Sequence, residues 1–302
     1  SIYKSKMSYS YLESSSYGKD NVKFLKVVKN PKNNKDHEIM ECNVQVLLKG
    51  EIETSFTEAD NKVVVPTDTV KNTILVLAKK NKTETMEKFA ALLALHFTNK
   101  YSHITGVHVK IVQQLWNKYH EHSFIHGGAE TKEIELDYDQ AKPTEYKLVT
   151  ILKGLTVLKS TNSMFHGFNV CEYTTLKPTD DRVLSTDVLM KLEFDPAKLG
   201  SLETVVTGSK DELFIELFKN CRDTTLTIFK NENSASVQAT MFNMATKILQ
   251  DNEVAKFVTY ELPNKHYILF NLEWFDGEKN DNELYYPSSD PNGLIKCTVG
   301  RN

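Results

Sequence analysis

The feature that most constrains this chain is a succession of elements that runs through it twice. Met40, Cys42, Val44, Val46 and Leu48 alternate with Glu41, Asn43 and Gln45. A period of two marks a strand in an antiparallel sheet with one wet face, and residues 21–28 read as its partner. Pro66-Thr67-Asp68 then supplies a helix start, with Val70, Ile74, Leu77 and Ala78 following at helical spacing. A second helix is predicted from about residue 84, its stripe being Met86, Phe89, Ala90, Leu93 and Phe97. Strands return at 106–116 and around Ile134, Leu136 and Tyr138. The order recurs with strands at 153–160 and 182–194, helices over 211–229 and from about Ser236, and strands at 255–262 and 266–274. The stretches His108 to Trp116 and His266 to Trp274 have equal length and the same two end residues, which reads as the trace of a duplication. Strand-strand-helix-helix-strand-strand, twice, is an α+β plan with helices on one face of antiparallel sheets. Two units are expected, 17–142 and 143–302, meeting near Asp139-Gln-Ala-Lys-Pro-Thr-Glu145, behind a Ser- and Tyr-rich flexible extension over 1–16.

Several chemistries lack their parts. A net charge of −3, with lysines scattered among acids, offers no electrostatic footprint for nucleic acid. No apolar run approaches the length of a membrane-spanning helix, and no signal-peptide core is visible. Cys42, Cys171, Cys221 and Cys297 lie far apart without metal-ligand spacing, as expected of reduced thiols in a reducing compartment. The glycine-rich phosphate cradles of dinucleotide and P-loop proteins are missing, as is a serine nucleophile elbow. His120, His122 and His126 cluster in what reads as a polar turn over 117–122. No thiolate or carboxylate pair completes a ligand set there, so surface histidines are expected rather than a metal.

A polar group with site character occurs at Glu261-Leu-Pro-Asn-Lys-His-Tyr267, which reads as a loop because Pro263 lacks an N–H. Asn264, Lys265 and His266 bring an amide, an ammonium and an imidazole to the mouth of a strand predicted to be buried. A turn needs polar residues too, so the cluster alone decides nothing.

Longer motifs point further. Pro66-Thr-Asp-Thr-Val-Lys-Asn-Thr73, Asn233-Ser-Ala-Ser-Val-Gln-Ala-Thr-Met241, Leu262-Pro-Asn-Lys-His266 and Leu155-Thr-Val-Leu-Lys-Ser-Thr-Asn-Ser-Met-Phe165 resemble motifs of the urate oxidases, or uricases, and of fungal ones most. Tyr17-Gly-Lys-Asp-Asn21 and Asp290-Pro-Asn-Gly-Leu-Ile-Lys-Cys-Thr298 resemble the family's two ends. The resemblance implies tandem tunnelling-fold repeats and a homotetramer closing a β-walled tunnel, with active sites at subunit interfaces. It also implies oxidation of urate by O₂ to 5-hydroxyisourate and hydrogen peroxide without metal or organic cofactor. Peroxisomal residence goes with the family, although the chain ends at Val299-Gly-Arg-Asn302 without a Ser-Lys-Leu address; otherwise the cytoplasm is expected. Two segments depart from the family pattern: 188–194, where relatives are tryptophan-rich, and the short turn at 117–122.

By the same resemblance Arg182 and Gln238 grip one edge of a flat purine anion, Val237 adds a backbone N–H at a helix start, Phe165 stacks on the ring, and Leu176 lines the opposite wall. The residue types suit those tasks. A guanidinium is a planar, permanently charged fork, an amide both gives and accepts, and a helix N-terminus favours an anion. Lys19, Thr67 and His266 match a proton relay, Asn264 the amide that holds O₂ and then water, and Thr67 with Asp68 come from a neighbouring chain. Taken singly each has a plainer reading: Thr67 a helix cap, Lys19 a tail lysine, His266 a strand-end histidine, Arg182 a surface arginine, Phe165 a core ring. Two alternatives to an oxidase stay in view, a non-catalytic purine- or pterin-binding homologue of the same fold and a mainly structural protein. An intact relay argues against the first, and the second would have Arg182→Ala change assembly rather than urate affinity.

Overall fold

In a computed structural model, which describes residues 9–82 and 84–302, eight antiparallel strands form one sheet in chain order. The strands are β1 (Tyr17–Asn30), β2 (Asn33–Gly50), β3 (Ile104–His120), β4 (Ser123–Asp139), β5 (Lys147–Lys159), β6 (Leu184–Phe194), β7 (Ala255–Leu269) and β8 (Tyr285–Gly300). Between β2 and β3 lie a short α1 (Glu53–Thr57), a 3₁₀ turn, α2 (Thr67–Lys80) and α3 (Met86–Lys100). Between β6 and β7 lie two short helices, α4 (Pro196–Leu199) and α5 (Leu202–Thr207), then α6 (Asp211–Asn231) and α7 (Val237–Asp251). Most of the predicted extension, 1–8, falls outside the described residues; residues 9–16 are irregular.

The alternation in β2 does what it predicts: Met40, Cys42, Val44, Val46 and Leu48 are buried, and the intervening residues face away. Val70, Ile74 and Ala78 of α2, the Met86–Phe97 stripe of α3, Phe214, Leu217 and Cys221 of α6, and Met241, Met244 and Ile248 of α7 are all buried. Every strand's inner row meets these stripes, so one continuous core lies between the sheet and a single layer of helices. Burial of such rows is the main favourable term in folding.

The order strand-strand-helix-helix-strand-strand recurs in the structure, but the His-to-Trp pair does not mark it. β3 starts four residues after α3 (Lys100, Ile104) and β7 four after α7 (Asp251, Ala255), which aligns His108 with Thr259 rather than His266. Trp116 stands in β3, whereas Trp274 lies beyond the end of β7 and is 78% exposed. A physical signature replaces it. Lys26 of β1 reaches across to the C-terminus of α2, donating to the carbonyls of Ala78 at 2.7 Å and Asn81 at 2.8 Å. Lys159 of β5 does the same to α6, at Phe229 (3.3 Å) and Glu232 (2.7 Å). In both, one ammonium satisfies the final carbonyls and the negative end of the helix dipole. Burial lowers both lysine pKa values.

A buried ion pair inside the first half carries contacts across to the second, through Thr150 and Phe218. Glu87 of α3 is fully buried, with Lys132 of β4 at 2.8 Å and the Thr150 hydroxyl of β5 at 2.9 Å, and the Lys132 ammonium also lies over the Phe218 ring of α6. At the surface of the same seam Arg222 of α6 grips Glu130 of β4 with two hydrogen bonds, at 2.7 and 3.1 Å.

Three sequence expectations need correction. Pro263-Asn264-Lys265 is not a loop: β7 runs through it, and the irregularity there is a register shift between Asn264 and His266 against β8. Pro263 is tolerated because that shift relaxes the ladder. The stretch 266–274 is not a buried strand either; β7 ends at Leu269, and Ile268, Leu269 and Phe270 are exposed. Its place is taken by β8, whose Pro287, Pro291 and Gly293 hide its strand character. Finally, 117–122 is mostly strand, since β3 continues to His120 and β4 begins at Ser123.

Candidate active site

The predicted site residues fall into two groups. The first lies at the start of β1 and α2. The Lys19 ammonium is 3.4 Å from the Thr67 hydroxyl, where β1 breaks register between Lys19 and Val22. Thr67 is not a cap: Pro66 holds that position, and the Thr67 side chain faces Lys19. Asp68 follows, exposed, with its carboxylate 2.7 Å from Lys71, whose hydrogen bond holds it below the ordinary carboxylate range.

The second group surrounds the N-terminus of α7. Ser236 caps this helix by accepting from the Ala239 N–H at 3.1 Å. The N–H groups of Val237 and Gln238 then have no acceptor within the helix. The Val237 side chain is buried, and that of Gln238 stands exposed. Arg182 sits just before β6. Its Nε donates to Ser163 Oγ at 3.1 Å and its guanidinium lies 5.3 Å from the Phe165 ring centre. Phe165 in turn stacks on Phe168, with centroids 5.1 Å apart. Burial pulls the guanidinium below its ordinary pKa, a cost that an anion in contact would offset.

Asn264 opposes Thr186 of β6 on one side and Gly293 of β8 on the other. Its side chain borders a small pocket shared with Leu184, Thr186, Val237, Thr240 and Leu262. His266 pairs with Ser288 of β8 and is exposed. Leu176 is 60% exposed on the long connection between β5 and β6, so within the chain it forms no wall.

One chain does not unite the two groups. Lys19 is on β1 and Arg182 leads into β6, five strand spacings away, or roughly 24 Å along the sheet. Among the described residues no hydrogen bond or ion pair joins Lys19, Thr67 or Asp68 to the α7 group. Lys19 therefore travels with Thr67 and Asp68. The second group offers a guanidinium fork, two N–H groups open at a helix start and an aromatic face, parts whose chemistry suits a planar anion.

Sequence reasoning missed Ser163 and Ser234. Both are completely buried and join the loop carrying Phe165 to the loop leading into α7. The only signals were two polar strings, Ser160-Thr-Asn-Ser163 and Asn233-Ser-Ala-Ser236, each next to a predicted element.

Comparison with known proteins agrees with this architecture. The family model described as Uricase matches residues 15–146 and 151–296. The chain belongs to the uricase family. It is 55% identical over 296 residues to the uricase of Cyberlindnera jadinii, covering 96% of this chain and 97% of that one. The uricase of Aspergillus flavus is 46% identical over 301 residues, covering 97% of each. Among solved structures, the crystal structure of uricase from Arthrobacter globiformis superposes with a TM-score of 0.87 at 33% identity, over 97% of this chain and 96% of that chain. The sheet with its single helical layer is thus the tandem tunnelling fold of uricases.

Proposed function

We propose that this chain oxidises urate with O₂ and water to 5-hydroxyisourate and hydrogen peroxide, working as a homotetramer of two repeats per chain, 17–142 and 143–302. The observation that carries the reading is the Arg182 cluster: a half-buried cation fixed over Phe165 beside the open N-terminus of α7, arranged for a flat anion. Arg182 and Gln238 hold the edge of urate, assisted by the Val237 N–H. Phe165 supports its face, and Leu176 is brought against the other side when the site is assembled.

Urate passes two electrons to O₂ while water supplies the oxygen of the new hydroxyl, so protons must leave the purine and reach the peroxide. Lys19 and Thr67, in contact within one chain, arrive from a neighbouring copy with Asp68 and meet His266. A hydroxyl that both gives and accepts can then pass a proton between amine and imidazole. Asn264 offers its amide to O₂ and afterwards to water. β1 pairs only with β2 and β8 only with β7 among the described residues, which leaves two strand edges for partner copies. Peroxisomal residence is part of the proposal, since it keeps the peroxide away from the rest of the cell.

The test is a urate assay on protein treated with a chelator, following loss of urate absorbance and release of peroxide. Thr67→Ala should retain binding of a non-oxidised purine and lose turnover by roughly 10²–10⁴-fold, as for a lost acid–base group. Wild-type protein that binds urate and releases no peroxide would refute the oxidase.

A further inference from the structure

We infer that Ser163, supported by Ser234, is a positioning residue that locks Arg182 and the N-terminus of α7 into one preformed anion clamp. The inference rests on the reading above, and it concerns two serines outside the set that meets the substrate.

The geometry is a seam between two loops distant in sequence. Ser163 holds Arg182 twice, its hydroxyl accepting from Nε at 3.1 Å and its carbonyl accepting from the Arg182 N–H at 2.9 Å. On its other side Ser163 bridges to Ser234, with the Met164 N–H donating to Ser234 O at 2.9 Å and the Ser234 N–H donating to Asn162 O at 3.0 Å. Asn162 turns the chain for this with φ of +57°, a conformation asparagine tolerates. The Ser234 hydroxyl continues into α7, lying 2.8 Å from Thr240 Oγ1 and 3.1 Å from the Ser236 carbonyl. Both serines are fully buried, so water does not compete for these bonds.

Two consequences follow. With Nε spent on Ser163 and its face on Phe165, the guanidinium keeps its two terminal nitrogens for a ligand; among the described residues neither hydrogen-bonds to protein. An arginine so fixed has already lost the freedom that binding would otherwise cost it. The seam also fastens a cation beside the positive end of a 15-residue helix. The two repel each other, and a loop-borne arginine without the seam would swing into solvent. Holding them together leaves an anion between them as the way to relieve the repulsion.

The experiment uses full-length Ser163→Ala, Arg182→Met and the double variant. It measures steady-state urate oxidation and binding of xanthine at mildly alkaline pH, where that purine is an anion. Ser163→Ala is expected to raise both KM and the xanthine Kd about tenfold, the worth of one hydrogen bond to a charged group, with kcat within about twofold. In Arg182→Met background it should add almost nothing, because the residue it positions is gone. Ser234→Ala serves as the second variant and should shift KM in the same direction by a smaller factor. Additive effects of Ser163 and Arg182, or a loss confined to kcat and melting temperature, would mean a merely structural serine and overturn the inference. Wild-type xanthine binding without urate turnover would sink the oxidase alone and leave the clamp to be judged on the xanthine arm. Binding of neither purine by the wild type overturns both.

Discussion

Replacing Lys132 with methionine tests how much the fold depends on the buried charge pair beside the seam between the halves. Glu87 is fully buried and, among the described residues, accepts only from Lys132, at 2.8 and 3.1 Å to its two oxygens, and from Thr150 at 2.9 Å. Methionine fills much the same volume and keeps an apolar contact with Phe218, so little of the cost is cavity. What is lost is the counter-charge to a carboxylate with no route to solvent. Removing one partner of a buried pair costs about 3–5 kcal/mol. For a chain of this length each kcal/mol is worth roughly 2–4 °C in Tm, which puts the expected fall at about 6–20 °C. The double variant Glu87→Met/Lys132→Met should recover at least half of that loss, since no lone charge remains and only the Thr150 hydroxyl is orphaned. Calorimetry and urea unfolding on the same preparations measure both quantities. A Lys132→Met chain within about 1 kcal/mol of wild type, or a double variant worse than the single, would refute a stabilising role for the buried charge pair.

Thiol labelling gives another check. Cys171 is exposed, with backbone and Thr174 hydrogen bonds lowering its pKa, while burial pushes Cys42 and Cys221 up to about 12. One thiol per chain should react rapidly with an aromatic disulfide reagent, Cys297 slowly, and the other two only on unfolding; early loss of two or more would contradict the burial. Acid titration probes Asp137, which a hydrogen bond from His108 at 2.9 Å holds below the usual carboxylate range. A folded value below the unfolded one, about 3.9, gives stability that is complete above that unfolded value and lost as the pH falls through the folded one. The urea midpoint of wild type should therefore exceed that of Asp137→Asn at pH 6, and the gap should begin to close only below about pH 4; a gap that widens in acid would reverse the sign.

The plan of this fold was readable because period-two and helical patterns survive wherever one face is buried. The stripes of α2, α3, α6 and α7 and the alternation of β2 are examples. It failed on the last two strands for a physical reason. β7 carries Pro263 and β8 carries Pro287, Pro291 and Gly293, and toward its end β7 leaves the helical layer, so neither composition nor burial marks these residues as strand. The His-to-Trp match failed because it compared letters without anchoring them to helix ends. The lysine bolts at Lys26 and Lys159, which carry the duplication structurally, look like ordinary surface lysines in a sequence. Candidate site residues were named through motif likeness, and the structure adds only a grouping of them: Lys19 with Thr67, and Arg182 with Phe165. Ser163 and Ser234 were illegible because their meaning lies in a contact between loops, which no local period records.

The sheet's two rims have a consequence for how such a protein dies. β1 and β8 each offer an outer row of N–H and C=O groups to whatever comes near, with Leu25, Val27 and Leu294 exposed along them. In the proposed tetramer partner copies would cover those rims; exposed, after dilution or mild heating, they are sticky templates for the wrong strand. Loss of activity on storage should then track separation of subunits followed by clumping, well before the helices melt, and tethering rim to rim should lengthen shelf life more than any improvement of the core.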